Sequence, residues 1–245
     1  MQPLAERMRP TSLDDYVGQT HLVGPGAVLR RAVETGRLPS FILWGPPGVG
    51  KTTLAKIISQ QLQVPFYMLS AINSGVKDVR ETIASAKRGK FFDRASPILF
   101  IDEIHRFSKS QQDSLLGAVE AGTVTLIGAT TENPSFEVIP ALLSRCQVYV
   151  LESLGQEELS GMIQRALTQD AEMVSRQVEV KELDALLRYS GGDGRRLYNL
   201  LELVTNDASE TDGRTFITDE LVLARAQENL TRYVKTGEQH YDIAS

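Results

Sequence analysis

Residues 41–55 read FILWGPPGVGKTTLA, and this stretch indicates the fold of a large part of the chain. An apolar run over residues 41–44 is typical of a buried strand, and residues 53–58 carry apolar side chains at helical spacing. Between them, GPPGVGKT at residues 45–52 fills every fixed position of the phosphate-loop pattern G-x-x-x-x-G-K-[ST]. The order strand, glycine-rich loop, helix predicts a binding site for a nucleoside triphosphate.

The chemistry of phosphate binding explains these residue types. Glycine lets backbone N–H groups turn towards phosphate oxygens where a Cβ atom would block the approach, and the following helix directs its positive end at the same anion. We expect Lys51 to reach the β- and γ-phosphates and the Thr52 hydroxyl to ligate Mg²⁺. The predicted nucleotide-binding residues of the loop are Gly45, Pro46, Pro47, Gly48, Val49, Gly50, Lys51, Thr52 and Thr53.

A second apolar run, PILFI at residues 97–101, ends in two acids, Asp102 and Glu103. An uninterrupted apolar run is typical of a buried parallel strand, and open α/β sheets bind ligands at the carboxyl ends of such strands. We therefore expect Asp102 to hold Mg²⁺ through a water and Glu103 to act as the base that polarises the attacking water. The alternative is a pair of plain turn residues, and His105 is expected to be structural.

The remaining pattern predicts an α/β fold followed by a helical region. Strands at 64–69, 123–129 and 147–151 alternate with helices at 76–88 and 109–120, which predicts a five-stranded, parallel sheet with helices on both faces. Thr130 and Thr131 follow the fourth strand, where a threonine could bind the γ-phosphate or the attacking water, or could simply form a turn. A short helix is also predicted to begin at Leu13, capped by Ser12.

From residue 153 onwards the sequence predicts helices at 156–167, 181–188, 195–208 and 219–229. We therefore expect a nucleotide-binding α/β domain over residues 1–152 and a small, all-helical lid over 153–232, with residues 233–245 leading towards a further domain. Arg195 falls in the first turn of a helix, where the dipole disfavours a cation unless an anion lies nearby. Arg196 should lie about 100° away around the same helix, at the surface.

Composition and charge limit the classes of function. The 245 residues include one cysteine, which excludes a disulfide framework and favours a reducing, cytoplasmic setting, and no apolar run is long enough to span a membrane. Residues 1–150 carry 16 Lys and Arg against 13 Asp and Glu, whereas residues 151–245 carry 10 against 18. A nucleic acid would therefore meet the first part of the chain, and the basic cluster within 77–94 is either a DNA-contacting surface or a solvated helix face.

Several motifs together resemble the AAA+ ATPases of the clamp-loader branch. They are GPPGVGKT, FIDEIH, GATTENPSF, LSRC and GGDGRRLYNLLE. The longer stretches HRFSKSQQDSLL and TLIGATTENPSFEVIPALLSRC resemble, within that branch, the family of replication-associated recombination proteins RarA (MgsA) and their eukaryotic Werner-helicase-interacting relatives. The resemblance covers essentially the whole chain.

This resemblance implies roles that the residue pattern alone does not assign. Thr130 would be sensor 1, Arg145 the arginine finger that acts on ATP held by the adjacent subunit, and Arg195 the sensor 2 residue that reaches the γ-phosphate. The residues that would frame the adenine are Arg9, Pro10, Tyr16, Val17 and Gly18.

The same resemblance implies activity and partners. It implies DNA-dependent ATP hydrolysis at stalled forks, gaps or single-stranded DNA ends, with single-strand DNA-binding protein as a partner and a nucleoid-associated location in a bacterium. Family members continue past the segment that ends at Ser245, into a domain that assembles tetramers. We therefore expect this stretch alone to be monomeric or weakly associating, with low turnover.

Other interpretations remain open. The chain could be a clamp-loader-type or Holliday-junction-motor-type AAA+ subunit, or a structural subunit that does not hydrolyse ATP. The structural interpretation is weakened because such subunits usually lose the loop lysine or an acid, whereas Lys51, Thr52, Asp102 and Glu103 are all present. A superfamily-2 helicase needs two RecA-like domains, for which the helical second part leaves no room.

Overall fold

The computed structural model describes residues 2–70, 74–89, 96–211 and 213–227, which fall into two compact units. One unit is Pro10–Ser153, and the other comprises the described residues of Met1–Arg9 and Leu154–Ser245. The division at residue 153 lies close to the predicted boundary. The assignment of residues 2–9 differs from the prediction, because helix α1 (Leu4–Arg7) packs with the second unit.

The first unit contains the predicted five-stranded sheet. Its spatial order is β2-β3-β4-β1-β5, and each neighbouring pair is parallel. The strands are β1 (Phe41–Trp44), β2 (Phe66–Ser70), β3 (Ile98–Asp102), β4 (Thr125–Thr130) and β5 (Gln147–Val150). Because β1 and β4 are neighbours, the segments that follow them begin side by side at the carboxyl edge.

Helices precede and connect these strands, and the three of 12 or more residues lie close to the predicted positions. The helical segments are α2 (Thr20–Val23), α3 (Val28–Glu34), α4 (Lys51–Leu62), α5 (Val76–Gly89), a 3-10 turn (Ile104–Arg106), α6 (Lys109–Glu120), α7 (Pro134–Glu137) and α8 (Pro140–Leu143). Helix α6 begins at a capping box in which Ser108 and Gln111 satisfy each other's backbone N–H groups. This box explains why its predicted start agrees with the structure.

Apolar side chains cover both faces of the sheet. Phe41 and Leu43 pack into a core with α3 and α4, whereas Ile42 packs into a second core with α5 and α6. Successive strand residues point to opposite faces, so a strand that is buried on both sides must be apolar throughout. This double burial is the reason that uninterrupted apolar runs located the strands.

The predicted helix at Leu13 is wrong, because the chain forms a turn there. The Ser12 hydroxyl accepts from the Asp15 N–H at 3.2 Å and donates to its carboxylate at 2.8 Å. Pro10 precedes this turn and Gly18 follows it with a positive φ of 74°, which leaves little room for helical residues. The capping signal of Ser12 is therefore used within a turn.

The second unit is mainly helical but is not entirely so. Its further helices are α9 (Gln156–Gln169), α10 (Ala171–Ser175), α11 (Asp184–Ser190), α12 (Gly194–Asp207) and helical residues 219–227. A three-stranded sheet of order β6-β8-β7 corrects the all-helical prediction, with β6 (Val178–Val180), β7 (Glu210–Thr211) and β8 (Arg214–Ile217). Strands of two to four residues are too short to give a periodic signal.

Arg7 holds the N-terminal residues within this second unit. Its guanidinium binds Asp170 at two points, with Nε 2.7 Å from Oδ2 and Nη2 3.0 Å from Oδ1. It also donates to Glu202 at 2.8 Å and lies 3.1 Å from Glu172. The Leu4 N–H donates to the same Glu202 carboxylate at 2.9 Å, so α1 is joined to α12 by backbone and side chain.

Candidate nucleotide-binding site

The phosphate loop connects β1 to α4 in the conformation that its glycines predict. Gly48 and Gly50 have positive φ values of 71° and 97°, which side chains rarely adopt. A Cβ atom on Gly50 would also lie 2.6 Å from the Tyr16 hydroxyl. Glycine is therefore required at position 50 by both backbone conformation and close packing.

Lys51 is buried at the first residue of α4, with a residue exposure of 8%. Its ammonium donates to the Gly45 carbonyl at 2.7 Å and to the Pro46 carbonyl at 2.8 Å, so it lies within the loop. A buried ammonium beside the N-terminus of a helix creates a positive potential that favours an anion. Thr52 and Thr53 follow in the same first turn and are half-buried.

The predicted adenine-contacting residues lie partly against this loop. Tyr16 is buried, and its hydroxyl donates to the Val49 carbonyl at 3.0 Å. Burial raises the pKa of Tyr16 well above its ordinary value, so the hydroxyl remains a donor. Pro10, Val17 and Gly18 belong to the same unit as the loop, and their contact with adenine remains a prediction.

Arg9 is grouped with the second unit, and its guanidinium pairs with Glu6. Its contact with adenine remains a prediction. Arg195 in α12 is exposed, and its contact with the γ-phosphate also remains a prediction. Arg196 is also exposed, as predicted, and its N–H is capped by the Asp193 carboxylate at 2.9 Å.

Gln19 joins the segment that contains Tyr16 to the residues after β5, a role that the sequence did not suggest. Its side-chain amide donates to the Glu152 carbonyl at 2.7 Å and accepts from the Glu152 N–H at 2.9 Å. Gln19 itself has a positive φ of 56° and is 5% exposed. A buried amide that satisfies both backbone groups of one residue ties this segment to the chain that follows β5.

The two predicted acids stand where β3 ends. Asp102 is the last residue of β3, and Glu103 has the left-handed values φ 54° and ψ 47°. A non-glycine residue in this conformation costs on the order of 1–2 kcal/mol, and such strain is concentrated at functional sites. The Arg106 N–H donates to the Glu103 carbonyl at 2.8 Å and closes the 3-10 turn that holds this backbone.

Hydrogen bonds and close contacts link Glu103 to the start of the phosphate loop. The Glu103 carboxylate lies 3.3 Å from His105 Nε2, and His105 Nδ1 lies 3.0 Å from the hydroxyl of the fully buried Thr130. The Thr130 carbonyl in turn accepts from the Gly45 N–H at 3.1 Å. Thr130, and not Thr131, therefore occupies the position between the acid and the loop.

The donor set at this edge fits a magnesium ion that is held jointly with phosphates. Mg²⁺ is usually bound by one or two protein oxygens together with phosphate oxygens and water, and Thr52 and Asp102 supply a hydroxyl and a carboxylate. Within the described residues, no cluster of three or more His, Cys, Asp and Glu side chains forms a separate metal site. The assignment of Thr52 and Asp102 as ligands of Mg²⁺ remains a prediction.

Arg145 follows α8 and is exposed at the surface of the first unit. Its guanidinium pairs with the Glu120 carboxylate at the end of α6 and donates to the Ala141 carbonyl at 2.5 Å. With 37% of the side chain exposed, it lies on the outer surface, as a residue that acts on a neighbouring copy must. Its action as an arginine finger remains a prediction.

Helix α5 has a basic outer face. Val79 and Ala86 are buried beneath it, whereas the four basic residues Lys77, Arg80, Lys87 and Arg88 are exposed. Glu81 lies 3.7 Å from Lys77 and offsets part of this charge. Lys90 and Arg94, which belong to the same predicted cluster, lie outside the described residues.

Comparison with known proteins identifies the fold around this site. The family model for ATPases associated with various cellular activities (AAA) matches residues 41–154, and the AAA C-terminal domain matches residues 172–245. The chain belongs to the AAA family of ATPases. The AAA region thus contains both the phosphate loop and the acidic pair. In the described residues, no helix is long and apolar enough to cross a membrane.

Relatives of this AAA chain include replication-associated recombination proteins. Replication-associated recombination protein A of Haemophilus influenzae is 46% identical over 99% of this chain, and ATPase WRNIP1 of Dictyostelium discoideum is also 46% identical over 99%. The chain covers 55% of the first protein and 30% of the second, so it spans about half or less of these relatives. The resemblance inferred from the motifs is confirmed.

A solved structure has a similar fold. The Thermotoga maritima RuvB Holliday junction branch migration motor matches 89% of this chain and 71% of its own, with a TM-score of 0.72 and 29% identity. The predicted α/β phosphate-loop fold with a mainly helical second region is therefore confirmed.

Proposed function

We propose that this AAA chain hydrolyses ATP and uses the energy on DNA in replication-associated recombination. The observation that carries the proposal is the connection from the strained Glu103 through His105 and Thr130 to Gly45 of the phosphate loop. A protein that merely bound nucleotide would not need an acid linked to the phosphate loop at this edge of the sheet. The names of the relatives supply the biological setting.

Each residue has a defined part in the proposed reaction. Lys51 and the N–H groups of the loop bind and orient the phosphates, and Glu103 accepts a proton from the attacking water. Thr52 and Asp102 would hold Mg²⁺, which neutralises charge on the β- and γ-phosphates when bound. Thr130 would contact the γ-phosphate or the attacking water as sensor 1.

The proposed site is completed by a second copy of the chain. Arg145 would place its guanidinium against ATP bound by the neighbour, where it would stabilise the charge of the transition state. Its exposed position supports this role, and its ion pair with Glu120 would have to open. A tetramer assembled by sequence beyond residue 245 and the action of Arg195 as sensor 2 belong to the same proposal.

DNA is the proposed macromolecular substrate, in the form of forks, gaps or single-stranded ends. The basic face of α5 supports contact with phosphates. A cytoplasmic, nucleoid-associated location and single-strand DNA-binding protein as a partner, which the motif resemblance implies, belong to the same proposal. The likeness to RuvB favours a second candidate function, a motor that acts on Holliday junctions. ATPase activity measured with fork, gapped and four-way DNA distinguishes the two.

The decisive experiment measures ATP turnover with and without DNA. Glu103→Gln keeps the shape of the side chain and removes its basicity, so turnover should fall about 10²–10⁴-fold while ATP affinity is retained. Glu157→Gln, in the first turn of α9, is the matched control. Normal turnover by Glu103→Gln would contradict the assignment of the base, and absence of turnover in the wild-type assembly would contradict the proposed function.

The shared site is tested by mixing two inactive proteins. Arg145→Ala should bind ATP normally and lose hydrolysis in the assembled form, and Lys51→Ala should fail to bind ATP. Mixed assemblies should recover activity at sites where an intact loop meets an intact Arg145 from the Lys51→Ala subunit. No recovery in assemblies shown to be mixed would count against action between subunits.

A further inference from the structure

We propose that His105 is a positioning residue that sets the orientation of the Glu103 carboxylate according to the position of Thr130. This inference rests on the proposed ATPase function and assigns a task to a residue that the motifs left as structural. The imidazole bridges the base that follows β3 and the sensor threonine at the end of β4. The bridge therefore joins the two strand ends that flank the reacting water.

The geometry of the bridge is specific to the two ring nitrogens. His105 Nε2 faces the Glu103 carboxylate at 3.3 Å, and Nδ1 faces the Thr130 hydroxyl at 3.0 Å. The His105 side chain is 12% exposed, whereas that of Glu103 is 28% exposed. The ring is thus enclosed while the carboxylate keeps access to solvent, as a positioning group and a base require.

The chemistry of the partners determines the tautomer of the neutral ring. An ionised carboxylate can only accept, so Nε2 must carry the proton when it contacts Glu103. Nδ1 is then an acceptor, so in this tautomer the Thr130 hydroxyl donates to it at 3.0 Å, and the Glu132 carbonyl, 3.1 Å from the same hydroxyl, is the competing acceptor. The Glu132 N–H donates to the same hydroxyl at 3.0 Å and holds it in place, so the chain of donors runs from Glu132 through Thr130 and His105 to Glu103.

The bridge is also connected to the nucleotide loop. Thr130 is the last residue of β4, and its carbonyl accepts from Gly45 at the start of the loop. A displacement of the loop or of the β4 end would move Thr130, and the imidazole would pass that movement to Glu103. We infer that the base is correctly oriented when Thr130 occupies its place beside the γ-phosphate.

A cation near Glu103 provides a matched control. Arg106 Nε lies 3.9 Å from the same carboxylate oxygen, but its side chain is 58% exposed and so contributes little to orientation. If charge near Glu103 were all that mattered, removal of the Arg106 cation would cost at least as much as removal of the neutral His105 ring. Arg106→Gln should instead change turnover by less than about threefold.

Kinetics of three His105 variants test the proposal in the assembled protein. His105→Ala should lower kcat by about 10- to 100-fold with an ATP dissociation constant within about twofold of wild type. His105→Gln places an amide near the Nε2 position, and His105→Asn places one near Nδ1, so Gln should recover more activity than Asn because it still reaches Glu103. Equal kcat for wild type and His105→Ala would overturn the proposal.

Nuclear magnetic resonance gives a readout that does not depend on turnover. The chain has three histidines, so the ring nitrogens of His105 can be assigned by the signal that His105→Asn removes. We expect the Nε2–H tautomer in wild type and a change in the Nδ1 signal in Thr130→Val, which cannot donate a hydrogen bond. The Nδ1–H tautomer, or no change in Thr130→Val, would overturn the bridge.

The outcomes separate this inference from the proposed function. If wild type does not hydrolyse ATP with any DNA, the proposed function fails, and the ring signals still decide whether the bridge exists. If wild type turns over and His105→Ala matches it, the positioning role alone fails. Thermal unfolding of each variant identifies any loss of activity that results from misfolding.

Discussion

The two compact units bury charged side chains in different ways. In the first unit the buried polar side chains of Lys51, Thr130 and Gln19 bind backbone carbonyl or N–H groups. In the second unit a buried carboxylate, Asp170, is 4% exposed and pairs with Arg7 from 163 residues away. The first arrangement builds a binding site at a sheet edge, whereas the second holds the chain terminus in place.

This difference shows which interactions serve function and which serve cohesion. The backbone partners of the first unit follow from strand positions, so they remain when one side chain is replaced. The ion cluster of the second unit has several acids and one guanidinium, so a single substitution removes every pair. We therefore expect substitutions in the first unit to affect chemistry and those in the cluster to affect stability.

The largest effect should come from Lys51→Ala in the first unit. Loss of the buried ammonium removes charge-assisted hydrogen bonds to phosphate, so ATP affinity should fall by at least about 100-fold. Calorimetric titration measures this change, and Lys56→Ala in the same helix is the control that should bind normally. If Lys51→Ala bound ATP with wild-type affinity, the loop would not be the nucleotide site.

A comparably large effect on stability should come from Arg7→Ala. Removal of the guanidinium leaves Asp170 buried without its cation, which should destabilise the second unit by about 3 kcal/mol. The single tryptophan, Trp44 in β1, reports the first unit by fluorescence, and hydrogen exchange of α12 reports the second. The exposed pair of Glu179 and Lys181 gives the control Glu179→Gln, which should leave stability close to that of wild type.

Equal losses in both units after Arg7→Ala would contradict the proposed difference between them. Such a result would mean that the ion cluster stabilises the whole chain and not the second unit alone.

Acid should remove the contribution of the ion cluster. The hydrogen bond from Arg7 lowers the pKa of Asp170 below its ordinary value, so the ionised form is stabilised by folding. This stability is present above the ordinary pKa of about 3.9 and is lost as the pH falls through the folded pKa. Urea unfolding of wild type and Asp170→Asn should therefore differ by about 2–3 kcal/mol at neutral pH and converge in acid. A constant difference across this range would exclude the mechanism.

The smallest effect on the free energy of unfolding should come from Glu103→Gly. Glycine adopts the left-handed conformation of residue 103 without strain, so stability should rise by about 0.5–1 kcal/mol while hydrolysis is lost. Gln63 has the same conformation, with φ 53°, at the end of α4 and outside the site. Gln63→Gly should give a similar gain with normal hydrolysis, and a loss of stability in Glu103→Gly would show that the acid is not strained.

Much of the first unit could be predicted because its signals are local. Strands buried on both faces give uninterrupted apolar runs, and the phosphate loop is defined by adjacent residues. The predicted start of the second strand, residue 64, missed the observed Phe66 by two residues, and the helix at 109–120 was predicted at its observed limits. The second unit was less predictable since its three strands are too short for periodicity.

The amino-acid sequence by itself determined the phosphate loop, the acid pair after β3 and the alternation of strands with helices that makes the sheet parallel. Each of these depends on residues close together in the chain. The tertiary structure decided that Gln19 holds Glu152, that His105 bridges Glu103 and Thr130, and that Arg7 binds Asp170. Apart from the contact of His105 with Glu103, these contacts join residues 25 to 163 positions apart in the chain, and chain topology sets which of them meet. The spacing of residues along the sequence therefore does not predict these contacts.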